Sequence, residues 1–383
     1  MKKKIDICFI IIIILLIIPF YFFLFINEVD ISQIENRTLN KHKIFKLSDF
    51  INYNFQNNLE SAFSDQLLYQ EVIKKQTLIL RRVLVSNIDN IILKLSKSKK
   101  YYVAISNDTY TINNDDYLLN DIDKYKINPK SFEYYNSIDF DNKYLYFIES
   151  DASVNYIKKY SNENYNKIIN GLNLKAYSKL NVQNYELYKK YFYKTDHHLN
   201  KNGQYQAYKD IMKLLGHKHK ISVTGAKEYA VYFNGSKART AIKFDVKEKF
   251  CVNVYDNYNR PYIYINGILS EYGNHKKYDL NKYDNNYLNN HYASFYGDDY
   301  AEIVFDMKNN SKENLLIISN SYSNSINELI ANDFNKTFVI DLRFYKDDIN
   351  EYIKKNNIDK VLIFGDIRIF NDSYFTNVNL NNI

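Results

Sequence analysis

Positions 315–323 of the chain carry the run Leu315-Leu316-Ile317-Ile318-Ser319-Asn320-Ser321-Tyr322-Ser323, in which four apolar residues pass directly into small polar ones. The apolar part has the length and composition of a buried β-strand. Apolar residues then repeat at helical spacing from Ile326 to Phe334, and residues 337–342 form a second apolar run. This order of strand, helix and strand predicts a parallel sheet with helices packed on its faces.

The same pattern extends through the rest of the chain. Residues 361–364 form a third apolar run after a predicted helix, and residues 101–105 and 144–148 form two more upstream. Residues 221–310 differ, because their short apolar runs are broken by Asn, Asp and Gly. We therefore predict an α/β domain over residues 96–383, with a parallel sheet and a β-rich insertion at about 221–310.

Ser321 follows the first of these strands and is a candidate nucleophile. Loops at the carboxyl ends of parallel strands meet at the mouth of the sheet, where helix N-termini also point their N–H groups. A serine at such a turn can expose its oxygen beside backbone N–H groups that receive an oxyanion. The alternative is structural, since Ser319, Asn320 and Ser323 are also residue types that form turns and cap helices.

A second candidate site lies upstream, where Asp196, His197 and His198 are consecutive. A neutral imidazole accepts a hydroxyl proton near physiological pH, and a carboxylate on its other nitrogen fixes the tautomer and stabilises the imidazolium. Asn200 or Asn202 can begin the helix that follows, so the pair at Asp196 and His198 is expected in a loop. We predict that His198 meets Ser321 and that His197 points elsewhere.

The same three residues also offer zinc-type ligands. Adjacent histidines point in different directions, however, and the chain has no further Cys or His motif with ligand spacing. We predict no metal and no cofactor.

The N-terminal region predicts a membrane location. Residues 5–26 are almost continuously apolar and long enough to cross a bilayer as one helix. Three lysines at 2–4 precede the run, so the positive-inside rule places residues 1–4 in the cytoplasm and the rest of the chain outside. The run lacks the small-residue cleavage site of a secretory signal and is predicted to be an uncleaved anchor in the lipid bilayer. Helical periodicity then predicts a membrane-proximal helical segment over 27–95.

Composition adds little to this assignment. The net charge of +7 is spread along the chain and does not argue for nucleic acid. With two cysteines, Cys8 and Cys251, the exported part has no intramolecular disulfide. The 39 tyrosines offer sugar-stacking surfaces, but their abundance together with the absence of Trp is also typical of an AT-rich genome.

Several segments resemble the DHHW proteins, relatives of alginate-type polysaccharide O-acetyltransferases with an SGNH-hydrolase-like domain. The signature segment of these proteins is similar to residues 193–198, Tyr-Lys-Thr-Asp-His-His, and to residues 202–208, Asn-Gly-Gln-Tyr-Gln-Ala-Tyr. Other blocks that resemble the family occur in the same order and cover nearly the whole exported chain: Ile34-Glu35-Asn36-Arg37-Thr38-Leu39, Phe63-Ser64-Asp65-Gln66, Phe233-Asn234-Gly235-Ser236 and Asp341-Leu342-Arg343-Phe344-Tyr345.

This resemblance implies a relay of Ser321, His198 and Asp196, in which the serine carries an acetyl group from a donor to a sugar hydroxyl. It also implies a multispanning membrane acyltransferase as the acetyl source. Four residues are expected to support the site or the oxyanion: His197, Asn320, Tyr322 and Arg343. The chain departs from the family at Leu199, where the family has tryptophan, and at Ser319-Asn320, where it has Gly-Asp or Gly-Thr.

The sequence thus indicates an extracytoplasmic O-acetyltransferase acting on a cell-envelope or secreted polysaccharide. An acetylesterase with the same triad is an alternative, since water and a sugar hydroxyl attack one acyl-serine by the same chemistry. A non-catalytic glycan-binding or scaffold protein of the same fold is another. Phosphoesterases with an Asp-His-His motif would need further aspartate motifs for paired metals, and these are not evident.

Overall fold

The computed structural model describes most of the chain beyond residue 125. The described residues are 11–15, 28–32, 37–41, 54–66, 102–106, 109–112, 115–120, 125–151, 162–270, 288–308 and 313–375, with single positions or pairs at 72–73, 76–77, 79–80, 83–84 and 280. None of the helices in these ranges has the length and apolarity required to cross a membrane. The predicted anchor at 5–26 lies outside the described residues except for 11–15, which are helical and exposed.

Strands and helices alternate along the described part of the chain. The strands are β1 Ile31–Ser32, β2 Arg37–Thr38, β3 Tyr102–Ser106, β4 Thr109–Ile112, β5 Leu119–Asn120, β6 Lys143–Ile148, β7 Ala176–Leu180, β8 Ser222–Tyr232, β9 Lys249–Asp256, β10 Tyr262–Ile265, β11 Ile268–Ser270, β12 Glu302–Asp306, β13 Asn314–Ser319, β14 Lys336–Ile340 and β15 Lys360–Gly365. The helices with described bounds are α1 Asn54–Gln66, α2 Lys130–Ser137, α3 Glu163–Gly171, α4 Tyr185–Tyr191, α5 Lys201–Leu214, α6 Ser236–Ala241, α7 His291–Tyr296, α8 Asn327–Ala331 and α9 Ile349–Lys355, followed by 3₁₀ turns at Ile367–Phe370 and Asp372–Tyr374.

The main sheet of the described residues has eight strands in the order β11-β10-β12-β14-β13-β15-β6-β7. The five strands from β14 to β7 are parallel to one another. β12, β10 and β11 extend this sheet at one edge with antiparallel pairing. The predicted α/β class is therefore correct, while the sheet is mixed.

Two regions depart from the predicted layout. The insertion at 221–310 does not stay apart from the sheet, because it supplies β10, β11 and β12. The run at 101–105 falls largely in β3, which pairs antiparallel with β4 in a separate three-stranded sheet that β5 completes. Neither pairing is determined by the apolar pattern, since a short apolar run fits a parallel or an antiparallel strand equally well.

β13 is central to the hydrophobic core. Leu315 and Ile317 face one apolar cluster, which α4, α5 and α8 cover. Leu316 and Ile318 face the other, which α2, α3 and α9 cover. All four side chains are fully buried, as expected for a parallel strand with helices on both sides of the sheet. Each such burial stabilises the fold by about 1.5–3 kcal/mol relative to exposure, so the strand that ends beside Ser321 is firmly fixed.

The end of α1 is bound to the segment that precedes it. Asp65 Oδ2 accepts hydrogen bonds from both the backbone and the side-chain nitrogen of Asn40, at 2.9 and 2.8 Å. Gln66 exchanges hydrogen bonds with the backbone of Val29 in both directions, each at 2.9 Å. The block at 63–66 therefore holds together two pieces of the segment at 27–95.

Candidate active site

Ser321 lies at the carboxyl edge of the sheet, two residues beyond the end of β13. Between Leu315 and Asn327 it is the one side chain that is not buried. The turn is closed by hydrogen bonds from Ser323 N to the Asn320 carbonyl at 3.1 Å and from Asn324 N to the Ser321 carbonyl at 3.3 Å. The strand therefore ends in a tight turn with one partly exposed hydroxyl.

The residues around the turn explain how it tolerates a serine at position 319. Ser319 is still in the extended strand, and its hydroxyl lies 2.5 Å from that of Ser323, away from Ser321. The residue that approaches the turn closely is Gly365 of the neighbouring strand β15. A Cβ there would lie 3.2 Å from Asn320 Oδ1 and 2.6 Å from Ile369 Cγ2, so glycine keeps this side of the turn open.

His198 and Asp196 lie in the loop before α5, as predicted, and Asn200 caps that helix by accepting from the N–H groups of Asn202 and Gly203. His198 Nε2 is 2.9 Å from Ser321 Oγ, and its Nδ1 is 2.6 Å from Asp196 Oδ1. The same carboxylate oxygen accepts the backbone N–H of His198 at 2.9 Å. The structure thus brings the three residues into one hydrogen-bonded chain.

The electrostatics of this chain fit a general base. Burial opposes the ionisation of Asp196, but its interaction with His198 holds its pKa well below the usual range. An ionised Asp196 accepts a hydrogen bond from the N–H at Nδ1 of His198, which leaves Nε2 unprotonated and able to accept the Ser321 hydroxyl. Asp196 and His198 are both buried, so water does not weaken their interaction.

The insertion holds Asp196 from the opposite side. Ser236 N, at the start of α6, donates to Asp196 Oδ2 at 2.6 Å. Gly235 passes so close that a Cβ there would lie 2.3 Å from the Asp196 Cβ and 2.5 Å from the Thr195 carbonyl oxygen. The Ser236 hydroxyl contacts His197 Nδ1 at 2.6 Å. The block at 233–236 therefore holds the loop at 195–198 in place.

A half-buried carboxyl of the insertion supports the same loop. Glu248 accepts the backbone N–H groups of Lys194 and Thr195 at 2.8 and 3.0 Å. Thr195 Oγ1 lies 2.9 Å from the Phe233 carbonyl oxygen and 2.8 Å from Glu248 Oε2. A hydroxyl has a single proton and the carbonyl needs it, so the contact with Glu248 is satisfied when the carboxyl carries the proton. Consistent with this, burial raises the pKa of Glu248 to about 7.

Tyr292 of α7 completes the surroundings of the base, and its role was not visible in the sequence. Its ring is stacked on the His198 imidazole, with centroids 3.8 Å apart and an 8° angle between the planes. Its hydroxyl donates to the Ser321 carbonyl at 3.2 Å. The tyrosine therefore contacts both the histidine loop and the serine turn, and it covers one face of the imidazole.

Asn320 and Tyr322, two of the residues expected to support the site, make different contacts. Asn320 Oδ1 accepts the Tyr322 backbone N–H at 3.3 Å, which takes that N–H away from an oxyanion. The Tyr322 ring is buried, and its hydroxyl donates to the His197 carbonyl at 2.8 Å. Among the described residues, no acceptor lies within hydrogen-bond reach of the Ser321 N–H or of Asn320 Nδ2. These two groups are the candidate oxyanion donors.

His197 and Arg343 act at a distance from the serine oxygen. Burial and the neighbouring His198 hold the pKa of His197 well below its usual range, so its ring is neutral. Arg343 donates to Asp341 and, at 2.6 Å, to Asp299. Asp299 in turn accepts Asn324 Nδ2 at 2.9 Å. Arg343 is therefore linked to the serine turn through Asp299.

Leu199, which stands where the DHHW proteins have tryptophan, does not face the site. Its side chain is buried in the cluster beneath α5, and its carbonyl accepts the Gln204 side chain at 2.8 Å. The substitution therefore changes packing.

The end of β15 contributes a further charged group. Asp366 accepts Ser150 Oγ at 2.6 Å and Arg368 Nε at 3.0 Å, and the Arg368 guanidinium lies 5.1 Å from the centre of the Tyr322 ring. Sequence reasoning overlooked this pair. The rule that located Ser321 also applies here, because both segments follow strands at the carboxyl edge of one sheet.

The ligand atoms of Asp196, His197 and His198 lie within 4.8 Å of one another, a spacing compatible with a metal ion. In the observed arrangement these groups already bond to each other, to Ser321 and to Ser236. A metal would have to displace those hydrogen bonds.

Solved structures with a similar fold support this architecture. PatB1 from Bacillus cereus with a sulfonyl adduct is 22% identical, covers 70% of this chain and 97% of its own, and gives a TM-score of 0.52. Another PatB1 structure, also 22% identical, covers 73% and 99% with a TM-score of 0.54. A DHHW family protein from Eubacterium siraeum is 16% identical, covers 74% and 97%, and gives 0.55. No family model and no curated protein matches the chain.

The fold is therefore one that this chain shares with a DHHW family protein and with PatB1. At these identities the likeness concerns the fold. The chemistry is argued from the residues themselves.

Proposed function

We propose that the protein is an extracytoplasmic O-acetyltransferase that passes an acetyl group through Ser321 to a hydroxyl of a cell-envelope or secreted polysaccharide. The observation that carries the proposal is the chain from Ser321 Oγ to His198 Nε2 at 2.9 Å and from His198 Nδ1 to Asp196 at 2.6 Å. This hydrogen-bonded chain ends at Ser321, the one partly exposed side chain of a buried turn, where a substrate can reach the hydroxyl.

The first half of the reaction acylates the serine. His198 Nε2 accepts the Ser321 proton while Oγ attacks the carbonyl carbon of the acetyl donor. The oxyanion that forms is received by the Ser321 N–H and by Asn320 Nδ2. As the intermediate collapses, the bond to the leaving group breaks and His198 returns the proton to it. Asp196 stabilises the imidazolium between these steps, and the stacked ring of Tyr292 adds a cation–π contact.

The second half reverses the roles. A sugar hydroxyl gives its proton to His198 Nε2 and attacks the acetyl-serine carbonyl. The same donors receive the oxyanion, the bond to Oγ breaks, and His198 returns the proton to Ser321. One ester is consumed and one is formed, so the step needs no further reagent.

The cellular setting forms part of the proposal. The apolar run at 5–26 anchors the chain in the membrane, and a multispanning acyltransferase supplies the acetyl group across it. A reporter fused after residue 383 should be active only outside the cytoplasm. Activity of a reporter that works only in the cytoplasm would overturn this topology.

The decisive experiment follows acetyl-ester turnover by the full-length chain in detergent, with 4-nitrophenyl acetate as donor and the Ser321→Ala variant as control. Turnover that is lost in the variant supports a serine site, and equal turnover in both proteins would refute it. Oligosaccharide acceptors are then added. Acetylated sugar detected by mass spectrometry supports transfer, whereas release of acetate alone would identify an acetylesterase. The absence of turnover by the wild-type chain would favour the glycan-binding alternative.

A reagent test is independent of any substrate. A PatB1 structure with a sulfonyl adduct is similar in fold to this chain. Sulfonyl fluorides react with activated serine hydroxyls, so phenylmethylsulfonyl fluoride should add one sulfonyl group to the chain, and peptide mapping should locate it at Ser321. Labelling of the Ser321→Ala variant to the same extent would contradict an activated serine there.

A further inference from the structure

A cavity of about 280 Å³ lies beside the serine turn but is not lined by Ser321 or His198. Its walls come from α5, the end of β9, α7, the turn at 324–325 and α8. The link to the catalytic residues runs through Tyr292, whose ring is stacked on His198 and lies 5.0 Å from Tyr296, a lining residue. The ring of Tyr292 thus lies between His198 and the lining residue Tyr296.

The lining combines flat apolar surfaces with planar polar groups. Tyr255, Tyr258, Phe295 and Tyr296 supply aromatic rings, and Asn253 is among the amides between them. Pockets for small molecules are mostly apolar with a few polar groups that fix orientation, and those for drug-sized ligands begin at about 300 Å³. A volume just below that limit suits a ligand of one ring with its substituents.

A pyranose ring has the complementary chemistry. Its C–H faces pack on aromatic rings, and the hydroxyls around its rim exchange hydrogen bonds with amide, carboxylate and guanidinium groups. Purely apolar rings would leave the amides and charges of the wall without partners, which is costly in a cavity.

The charges of the wall favour a neutral sugar. Glu328 accepts the Tyr258 hydroxyl, and Arg260 brings the opposite charge to the same cavity. Among the described residues Arg260 has no carboxylate within ion-pair distance. Its exposed guanidinium is available to hold two adjacent hydroxyls with parallel N–H groups.

We infer that this cavity is a second, non-catalytic binding site for a neutral pyranose ring of a glycan. The inference rests on the lining and does not require the acetyl transfer proposed above. An occupant would touch Asn324, whose backbone N–H donates to the Ser321 carbonyl at 3.3 Å, and so would contact the turn that carries the serine.

The test is ligand-observed NMR on the full-length chain. The detergent must lack a sugar headgroup, since that headgroup would compete for the site. Glucose, galactose, mannose and N-acetylglucosamine are each titrated to tens of millimolar, and saturation transfer from the protein to the ring protons is measured. We expect saturable transfer to at least one of these sugars. No transfer to any of the four would overturn the inference.

Variants locate the signal. Tyr255→Ala removes one aromatic wall, and Arg260→Ala removes an exposed guanidinium without disturbing the core. Each should weaken binding at least about threefold, the effect expected for one lost contact of ~0.7 kcal/mol. The matched control is Tyr177→Ala, since Tyr177 is an exposed tyrosine on β7 outside the cavity. Unchanged affinity in both cavity variants, or an equal loss in Tyr177→Ala, would place the sugar elsewhere.

Ser321→Ala separates the two proposals. Retained sugar binding in this variant, together with lost ester turnover, supports both. Sugar binding without turnover even in the wild-type chain would remove the proposed catalysis and leave the cavity site standing. Binding that disappears with Ser321→Ala would show that the sugar occupies the catalytic cleft and would overturn the second site.

Discussion

The serine turn and the histidine loop meet at the candidate site, but different parts of the molecule hold them in place. Ser321 follows a strand buried on both faces, and the turn is closed mainly by bonds among its own residues. The loop at 195–198 depends on distant segments, since Ser236, Glu248 and Tyr292 of the insertion all contact it. Ser321 is thus placed by the sheet, whereas His198 is placed by the insertion.

Because of this difference, variants of the relay and variants of the insertion should have different effects. Changes at the relay should abolish turnover with little effect on folding. Changes in the insertion should act through the position of His198 or through stability.

The largest effect is expected for Ser321→Ala. Removal of the nucleophile from a relay of this kind lowers kcat on the order of 10⁶-fold, while a partly exposed hydroxyl contributes little to stability. Ester turnover and urea unfolding measure the two quantities. Ser323→Ala is the matched control, because it removes a buried hydroxyl of the same turn without touching the relay. A turnover rate of Ser321→Ala near that of Ser323→Ala would refute the role of Ser321 as nucleophile.

Asp196→Asn should be the next most damaging change. The amide no longer holds the Nδ1 proton of His198, so the imidazole loses the tautomer that activates Ser321, and kcat should fall roughly 10⁴-fold. The loss should persist across the pH range in which the protein stays folded. A variant that retained more than a tenth of the wild-type rate would show that the short bond between Asp196 and His198 is structural.

Gly235→Ala tests whether the block at 233–236 holds the loop at 195–198 in place. The new methyl group would lie 2.3 Å from the Asp196 Cβ, so the loop must shift. A displacement of about 1 Å at a catalytic group lowers turnover roughly 10²-fold. Gly225→Ala is the matched control, since nothing lies within 4 Å of a Cβ at that position in β8. Equal turnover in the two variants would mean that the insertion does not set the position of Asp196.

Glu248 should make stability depend on pH. Its pKa of about 7 in the folded chain exceeds the usual 4.5, so the folded state binds the extra proton more tightly. The stabilisation from this group is complete below about pH 4.5 and is lost as the pH rises through 7, a change of roughly 1–3 kcal/mol. Urea unfolding of wild type and Glu248→Gln at pH 5 and pH 8 should show the wild-type advantage shrinking at the higher pH. A constant difference would exclude a protonated Glu248.

The smallest effect is expected for Tyr292→Phe. The ring stays on His198, but the hydrogen bond to the Ser321 carbonyl is lost, which costs about 0.5–1.5 kcal/mol and at most about tenfold in kcat. Tyr292→Leu should lower kcat further than Tyr292→Phe does, because the imidazolium of His198 loses its stacked aromatic partner. Equal kcat values for wild type and Tyr292→Leu would show that the ring on His198 makes no contribution to the reaction.

Sequence reasoning predicted these two regions unequally. The apolar run at 315–318 gave β13 nearly to the residue, because strand length and burial are local properties. The pairing of residues 196 and 198 was also readable, since both lie in one loop. The meeting of His198 with Ser321 followed from the expected sheet edge and from the family resemblance.

What the sequence did not predict is the role of the insertion. Nothing local indicates that Glu248 accepts the N–H groups of Thr195 and Lys194, or that Tyr292 lies flat on His198. The antiparallel addition of β12 to β14 is equally non-local. Such contacts depend on the path of the whole chain, which apolar periodicity does not encode.

The order of the sheet has a consequence for how the chain matures. β6 is synthesised well before β15, its neighbour in the sheet, which lies near the end of the sequence. Contacts between distant segments form slowly, and an unpaired strand edge invites aggregation meanwhile. The edge of β6 that β15 covers therefore stays unpaired until β15 is made, so the sheet that supports the Ser321 turn is completed late in synthesis.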